Sequence, residues 1–182
     1  GAARVDAELG GEPRIAADLY VALGRAWLAL ERYDEADRLA RRSQELAAAS
    51  AGDDSTLAAA GRALAGEIAT ARGELLAGEN ALRAALAVFD REAGSDSLAA
   101  ARAAAALGRN LNAQERHAEA LALSERAYAA LSRQLGAGDR EAVRALLAEC
   151  QALRFSDRAV EAERRIAAAR AALAATPHVN PV

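Results

Sequence analysis

The two histidines and the single cysteine of the sequence, His117, His178 and Cys150, are the first residues to consider for chemistry. A histidine can transfer a proton or bind a metal ion, and a cysteine can act as a nucleophile once it loses its proton. His117 and Cys150 lie in Ala- and Leu-rich helical sequence, and His178 lies in a Pro-containing tail. None has a second ligand or a base at a suitable spacing. We therefore predict packed, structural roles for His117 and Cys150.

The sequence lacks the patterns that define common catalytic and metal sites. It has no Ser-His-Asp set, no histidine pair at ligand spacing and no phosphate-cradling glycine loop. Its single cysteine excludes an intramolecular disulfide and a multi-cysteine metal site. The acidic segments at 52–55 and 94–97 are short and distant in sequence, so helix capping explains them better than a calcium site. We predict no catalytic residue, no metal, no cofactor and no enzyme activity.

The composition favours a helical protein. Hydrophobic residues make up 53% of the 182 residues, mostly as Ala and Leu, and aromatic residues only 3%. Nothing alternates with a period of two, so no strand is expected. All 23 basic residues are Arg, and they are interspersed with acids to a net charge of −3, which argues against nucleic-acid binding by this chain alone.

The hydropathy and the ends of the sequence indicate where the protein is located in the cell and whether the sequence is a fragment. No apolar run approaches the ~20 residues of a membrane span, and no secretory signal is visible. We therefore expect a cytoplasmic protein. The sequence begins with Gly and has no Met, so we also expect a fragment of a longer polypeptide.

A period of 42 residues organises the elements that position these side chains. The frame is marked by Gly24, Gly66, Gly108 and Cys150, and a small residue follows twelve places later at Ala36, Gly78, Ala120 and Ala162. A glycine inside a helix costs ~1 kcal/mol relative to alanine, so three in one phase require a packing reason. We predict that the second helix of each repeat crosses the first too closely for a side chain. One such pair cannot bury its apolar face alone, which indicates a stacked array.

The frame predicts four helix pairs and their boundaries. The predicted helices span 13–30 and 33–50, 55–71 and 75–92, 97–113 and 117–134, and 139–154 and 158–174. They belong to repeats over 13–54, 55–96, 97–138 and 139–174, preceded by the end of a further repeat at 1–12 with a helix over 2–9, and followed by a tail at 175–182. Glycines 10, 52, 94 and 136 are predicted C-caps. The predicted N-caps are Asp54 or Ser55, Asp96 or Ser97, and Asp139.

On these residues the sequence resembles the tetratricopeptide repeat (TPR) family, in the 42-residue variety of kinesin light chains and many bacterial regulators. Repeat one carries the pattern on Tyr20, Leu23, Gly24, Trp27, Tyr33, Ala36 and Ser43. Repeat three carries it on Leu107, Gly108, Leu111, Ala120 and Ala127, with His117 in the place of the Tyr. The resemblance covers about 13–174. It implies an all-α fold, a right-handed α-solenoid of about four TPR helix pairs plus one N-terminal helix.

Repeats two and four depart from the pattern. In repeat two Arg62 takes a large apolar place, while Leu57, Leu64 and Ile68 carry the apolar stripe on another face. We expect its first helix to be rotated or to pack more on the neighbouring repeat. Repeat four is degenerate, with Glu149 for the Leu and Cys150 for the Gly. Because no polar capping helix is visible after it, Ile166 and Leu173 are expected to be partly exposed. A truncation of the array, the tail folding back or a dimer contact would each account for this.

The resemblance also implies a concave groove, lined by the first helix of each repeat, that binds a partner. The implied inward positions lie six and three residues before the Gly, and one and four after it. They are Asp18, Val21, Arg25 and Leu28; Ala60, Ala63, Glu67 and Thr70; Arg102, Ala105, Arg109 and Asn112; Arg144, Leu147, Gln151 and Arg154. The candidate ligand-binding residues are Arg25, Arg102, Arg109, Asn112, Arg144, Gln151 and Arg154.

These residue types indicate the chemistry of the partner. Arginine forms forked hydrogen bonds to carboxylates, and asparagine can hold a peptide backbone. The predicted partner is a protein or an acidic extended peptide, or another domain of the same polypeptide. The alternative is a solvated face with local Glu partners, because arginine is the only cation that this composition supplies.

Two function classes follow. The segment from Arg4 to Asp37 resembles the start of the repeats in bacterial Ser/Thr kinases and winged-helix regulators, which favours a non-catalytic interaction or sensory module of such a regulator. The alternative is a structural self-association module, a homodimer formed through the uncapped end at Ile166 and Leu173. Both hypotheses describe an interaction scaffold and differ in what it binds.

Overall fold

The computed structural model describes residues 11–175, which form eight α-helices in four consecutive pairs and contain no strand. The helices are α1 Pro13–Ala29, α2 Tyr33–Ala51, α3 Thr56–Ala71, α4 Leu75–Glu92, α5 Leu98–Ala113, α6 His117–Leu135, α7 Arg140–Phe155 and α8 Ala159–Ala175. Every boundary lies within one residue of the predicted one. The predicted helix over 2–9, Gly10 and the tail from 176 lie outside the described residues.

The chain divides into two compact units, at 1–103 and 104–182, so that the division falls within α5. In the described part of the first unit, α1 packs on α2, α3 packs on α4, and α2 packs on α3. In the second unit, α6 packs on α7 and α7 packs on α8. Within each unit, helices therefore contact both their pair partner and the next pair.

At Gly66 and Gly108 the second helix of the same repeat approaches closely, as the sequence predicts, whereas at Gly24 the partner helix lies at an ordinary 3.6 Å from an added Cβ and the tight neighbour is Leu64 of α3. A Cβ atom added to Gly66 would lie 2.8 Å from Cγ of Leu82 and 3.0 Å from the carbonyl oxygen of Gly78. A Cβ added to Gly108 would lie 3.4 Å from the carbonyl oxygen of Ala120. The small residue twelve places later thus brings its backbone, rather than a side chain, against the glycine.

The displaced apolar stripe of repeat two packs on the preceding repeat, but α3 keeps its larger contact with its own partner α4, so the expectation that it packs more on its neighbour is wrong. Leu64 and Ile68 of α3 are buried against Ala36 and Ala40 of α2. Leu64 also approaches the position that a Cβ of Gly24 would occupy. The stripe that looked displaced in the sequence therefore forms the junction between the first two repeats.

Helix ends recur with the same period. Glu31, Gly73, Glu115 and Asp157 have positive φ within each pair, and Gly52, Gly94 and Gly136 have positive φ between pairs. Between pairs, the side chains of Ser55, Ser97 and Asp139 accept hydrogen bonds from backbone N–H groups of the next helix, at 3.1, 3.2 and 2.7 Å. The caps predicted at 52, 94 and 136 are confirmed, and serine, not aspartate, provides the first two N-caps.

Candidate functional site

The exposed side of α7 carries all four residues of repeat four that are expected to face the groove. Asp139 caps the N-terminus of α7. On the apolar side of α7, Ala145, Leu146 and Leu153 are buried. The opposite side presents Arg144, Leu147, Gln151 and Arg154, which we call the α7 surface. The spacing of three, four and three residues places all four on one face of the helix.

The polar groups of the α7 surface have no partners within the described structure. Arg144, Gln151 and Arg154 are exposed, and among residues 11–175 none of them makes a hydrogen bond or an ion pair. Leu147 lies between them and is 58% exposed. The surface therefore combines two uncompensated guanidinium groups, an amide and an accessible apolar side chain.

Asn112 is brought to α7, but its amide is used inside the chain. It is buried, its amide nitrogen donates to the carbonyl oxygen of Ala148 at 2.8 Å, and its amide oxygen lies 3.1 Å from Nδ1 of His117. The His117 ring stacks on Phe155, with ring centroids 4.7 Å apart. These contacts join α5, α6 and α7 and hold α7 in place.

The remaining candidate arginines are engaged or half-buried. In the first unit, Arg25 lies 3.5 Å from the carboxylate of Glu67, another implied inward residue. Arg102 in the first unit and Arg109 in the second are half-buried, and neither is free of partners. The pairing of Arg25 matches the alternative of a solvated face with local Glu partners. Of the seven candidates, Arg144, Gln151 and Arg154 remain the accessible set.

Cys150 and His117 occupy the packed positions predicted for them. Cys150 is buried, and burial raises the pKa of its thiol; the neighbouring Glu149 carboxylate raises this pKa further, while Arg165 opposes the shift. A thiol with a raised pKa is a poor nucleophile at neutral pH. Among the described residues, no group of His, Cys, Asp and Glu is placed to hold a metal ion.

An ion pair beside Cys150 was not signalled by any pattern in the sequence. Glu149 is fully buried, and both of its carboxylate oxygens accept hydrogen bonds from Arg165 of α8, one of them at 2.9 Å. The Arg165 guanidinium also lies over the Tyr128 ring, 5.6 Å from its centroid. The pair joins α7 to α8 in the repeat that departs most from the pattern.

Within residues 11–175, each helix is too short or too polar for a membrane span.

Comparison with known proteins supports the fold. The chain matches no protein-family model and no curated protein. Among solved structures it is similar to BtubC (BKLC) from P. vanneervenii, at 20% identity and a TM-score of 0.75, over 94% of this chain and 69% of that one. It is also similar to the nearly identical TPR-like repeats of a putative kinesin light chain from Podosopora anserina, at 18% identity and a TM-score of 0.64, over 97% of this chain and 93% of that one.

A single-residue variant of the Podosopora anserina repeats gives the same identity and TM-score, over 95% of this chain and 91% of that one. At these identities the likeness defines the fold. The chain has an all-α, TPR-like repeat fold of the kind seen in kinesin light chain repeats, which confirms the predicted fold class.

Proposed function

We propose that this chain is a non-catalytic scaffold that binds an acidic, extended peptide segment of a protein on the α7 surface. The observation that carries the proposal is that Arg144, Gln151 and Arg154 lack partners among the described residues and surround the exposed Leu147. Guanidinium groups bind carboxylates through paired hydrogen bonds. On a chain whose net charge is −3, two such groups on one face favour an acidic ligand over a basic one.

The spacing of the α7 surface suggests the form of the ligand. Arg144 and Arg154 are ten residues apart, or about 15 Å along a helix. An extended peptide covers that distance in roughly four to five residues. A peptide that follows α7 would therefore place two carboxylates at this separation, with an apolar side chain on Leu147 between them.

The proposal includes a segment of the same polypeptide as ligand. Resemblance to the repeats of bacterial Ser/Thr kinases and winged-helix regulators supports a regulatory or sensory module, in which an acidic segment of another domain occupies the α7 surface. The expected cytoplasmic location remains a prediction. Binding through the α7 surface requires no contribution from the first unit, where Arg25 is already paired with Glu67.

A binding experiment with a defined probe tests the proposal. The probe is a fluorescein-labelled peptide with two glutamates flanking a leucine at the stated separation, and the control peptide has lysines in place of the glutamates. Fluorescence anisotropy should detect binding of the acidic peptide alone, and the binding should weaken with added salt. Binding of neither peptide would show that the α7 surface is an ordinary solvated face, and equal binding of both would contradict recognition of carboxylates.

Charge-reversed variants locate the binding. Arg144→Glu with Arg154→Glu should abolish capture of the acidic peptide and leave the helical circular dichroism unchanged, since both side chains are exposed. The matched control is Arg14→Glu with Arg164→Glu, which changes the charge equally at exposed positions elsewhere. Unaltered binding by the Arg144→Glu, Arg154→Glu variant would show that the peptide does not bind on the α7 surface.

A further inference from the structure

His117 lies beside the α7 surface, at the C-terminal end of α7. The ring of His117 stacks on the ring of Phe155, with the centroids 4.7 Å and the ring planes 13° apart. Phe155 follows Gln151 by four residues and Arg144 by eleven, and both spacings place it on the same side of the helix. Phe155 is 66% exposed even though the histidine ring lies on it. The stacked pair therefore extends the α7 surface beyond Arg154.

The hydrogen bonds of Asn112 determine which nitrogen of the His117 ring carries a hydrogen. The carbonyl oxygen of Ala148 can only accept, so the Asn112 atom that lies 2.8 Å from it must be the amide nitrogen. The amide oxygen of Asn112 then faces Nδ1 of His117 at 3.1 Å, and this oxygen can also only accept. Nδ1 must therefore carry a hydrogen and donate it to Asn112. In the neutral ring, Nε2 is then left as an acceptor.

Nε2 of His117 is accessible and has no partner within the described structure. Among residues 11–175 the contacts of the ring are those of Nδ1 with Asn112 and the stack on Phe155. Nε2 is not one of the buried polar atoms that lack a partner in that part of the chain, so it reaches the surface. The two ring nitrogens point in diverging directions, and Nε2 therefore points away from the buried Asn112.

The position and the protonation of Nε2 select the kind of group that it can bind. Its lone pair lies in the plane of the imidazole ring, which is nearly parallel to the Phe155 ring. A donor that approaches in this plane therefore lies beside Phe155, next to Arg154 on the α7 surface. An ionised carboxylate has no hydrogen to donate, whereas every residue of a peptide backbone except proline has an N–H group. A backbone N–H is thus the donor that an acidic, extended peptide can offer to Nε2.

We propose that Nε2 of His117 accepts a hydrogen bond from a backbone N–H of the peptide that binds on the α7 surface. This inference rests on the proposed function and adds recognition of the peptide backbone to recognition of its carboxylates. Asn112 is then a positioning residue, because it keeps the hydrogen on Nδ1 and so keeps Nε2 an acceptor. The N–H groups on one side of an extended peptide are about 7 Å apart, so a single N–H, close to the carboxylate on Arg154, binds to His117.

The tautomer of His117 is measured on the free protein. A long-range 1H–15N spectrum of the imidazole rings is recorded at pH 8, above the range in which most histidines carry a charge. The sequence has one other histidine, His178, so the signals of His117 are identified by their loss in His117→Phe. We expect the hydrogen on Nδ1. A hydrogen on Nε2 would overturn the proposal, whether or not a peptide binds.

Backbone ester peptides measure the hydrogen bond itself. The probe is the fluorescein-labelled acidic peptide, extended by alanines at both ends. In each modified probe the N–H of one residue is replaced by an ester oxygen, through the corresponding hydroxy acid. Fluorescence anisotropy at pH 8 should show one ester peptide that binds about five-fold more weakly than the unmodified peptide, as expected for one lost hydrogen bond. The other ester peptides should bind like the unmodified one.

Two variants that lack Nε2 assign this loss to His117. His117→Phe keeps a ring to stack on Phe155, and His117→Asn keeps an N–H donor close to the place of Nδ1. Each should bind the unmodified peptide about five-fold more weakly than the wild type does, and the sensitive ester peptide no more weakly than the unmodified one. The matched control is Tyr33→Phe, at the equivalent place of repeat one, which should keep the ester effect. Circular dichroism checks that all three variants are folded.

The outcomes separate this inference from the proposed function. If the wild type binds the acidic peptide but no ester peptide binds more weakly, or if both His117 variants keep the ester effect, His117 is not the acceptor and this inference alone is wrong. If the wild type binds none of the peptides, the proposed function fails and this inference fails with it. An ester effect that disappears in both His117 variants and persists in Tyr33→Phe would support both.

Discussion

The thiol of Cys150 donates a weak hydrogen bond to the carbonyl oxygen of Ala162, with sulfur and oxygen 3.8 Å apart. In the earlier repeats the same place holds a glycine facing the equivalent carbonyl, as Gly66 faces Gly78. In the fourth pair this place holds a buried side chain that contacts the carbonyl of the small residue. What looks like degeneration in the sequence is a repacked crossing.

Restoring the repeat pattern at this crossing should destabilise the protein. We expect Cys150→Gly to lower the free energy of unfolding by about 2 kcal/mol, since it adds the ~1 kcal/mol helix cost of glycine and removes a buried side chain. Cys150→Ala should cost less because it keeps Cβ. Urea unfolding followed by circular dichroism measures both, and an unchanged midpoint for Cys150→Gly would contradict the repacked crossing.

The same substitution at two other crossings should have different effects. A Cβ at Gly66 would meet Cγ of Leu82 at 2.8 Å and a backbone oxygen at 3.0 Å, so Gly66→Ala should destabilise by about 1–3 kcal/mol. A Cβ at Gly108 would meet chiefly Oγ of Ser124 at 2.5 Å, which can rotate away. Gly108→Ala should therefore lower the stability less than Gly66→Ala does. Thermal unfolding of both variants measures the two losses. Equal losses would mean that side-chain freedom does not decide the effect.

The sequence predicted the parts of the fold that depend on local pattern. The 42-residue frame predicted the positions of all eight described helices. The close approach of Gly78 to Gly66 was predicted from two small residues twelve places apart. Gly61 was missed because it lies outside the frame. It lets α3 approach α2, since an added Cβ would lie 2.8 Å from Cγ of Gln44 and 3.2 Å from Oγ of Ser43.

The candidate site was less predictable, because its availability depends on partners distant in sequence. Asn112 has the position and the residue type of a backbone-binding side chain, but its acceptor is Ala148 within the same chain. Arg25 is neutralised by Glu67, 42 residues later. Position within a repeat gives the face of the helix, but it does not show which polar groups are already satisfied.

The buried thiol predicts a pH dependence of stability. The pKa of the Cys150 thiol is raised in the folded protein. In the unfolded protein a cysteine ionises at about pH 8.5. Above that pH the unfolded state therefore loses the thiol proton before the folded state does. Stability should then fall as pH rises, by at most ~1.4 kcal/mol per pH unit. Cys150→Ala should remove this part of the fall. Because the chain has no lysine, few other groups titrate in the range, and urea unfolding at several pH values gives the difference; identical slopes would contradict it.

The Glu149–Arg165 pair predicts an asymmetric pair of single-variant effects. Glu149 is fully buried and the Arg165 side chain is 39% exposed. Arg165→Leu leaves a buried carboxylate without its cation and should cost about 3 kcal/mol. Glu149→Leu leaves a guanidinium that can reach water and supplies the leucine found at Leu23 and Leu107, so it should cost about 1 kcal/mol or less.

The double variant Glu149→Leu with Arg165→Leu should therefore recover most of the loss, because a buried pair replaced by apolar residues of similar volume is often neutral. Urea unfolding of the four proteins gives the coupling energy, expected at about 2 kcal/mol. The Arg158–Glu161 pair, with side chains 46% and 43% exposed, is the matched control and should couple by less than ~1 kcal/mol. Additive stability losses at Glu149 and Arg165 would show that the two side chains act separately. The larger loss expected for Arg165→Leu arises only because it leaves the buried Glu149 carboxylate without its cation.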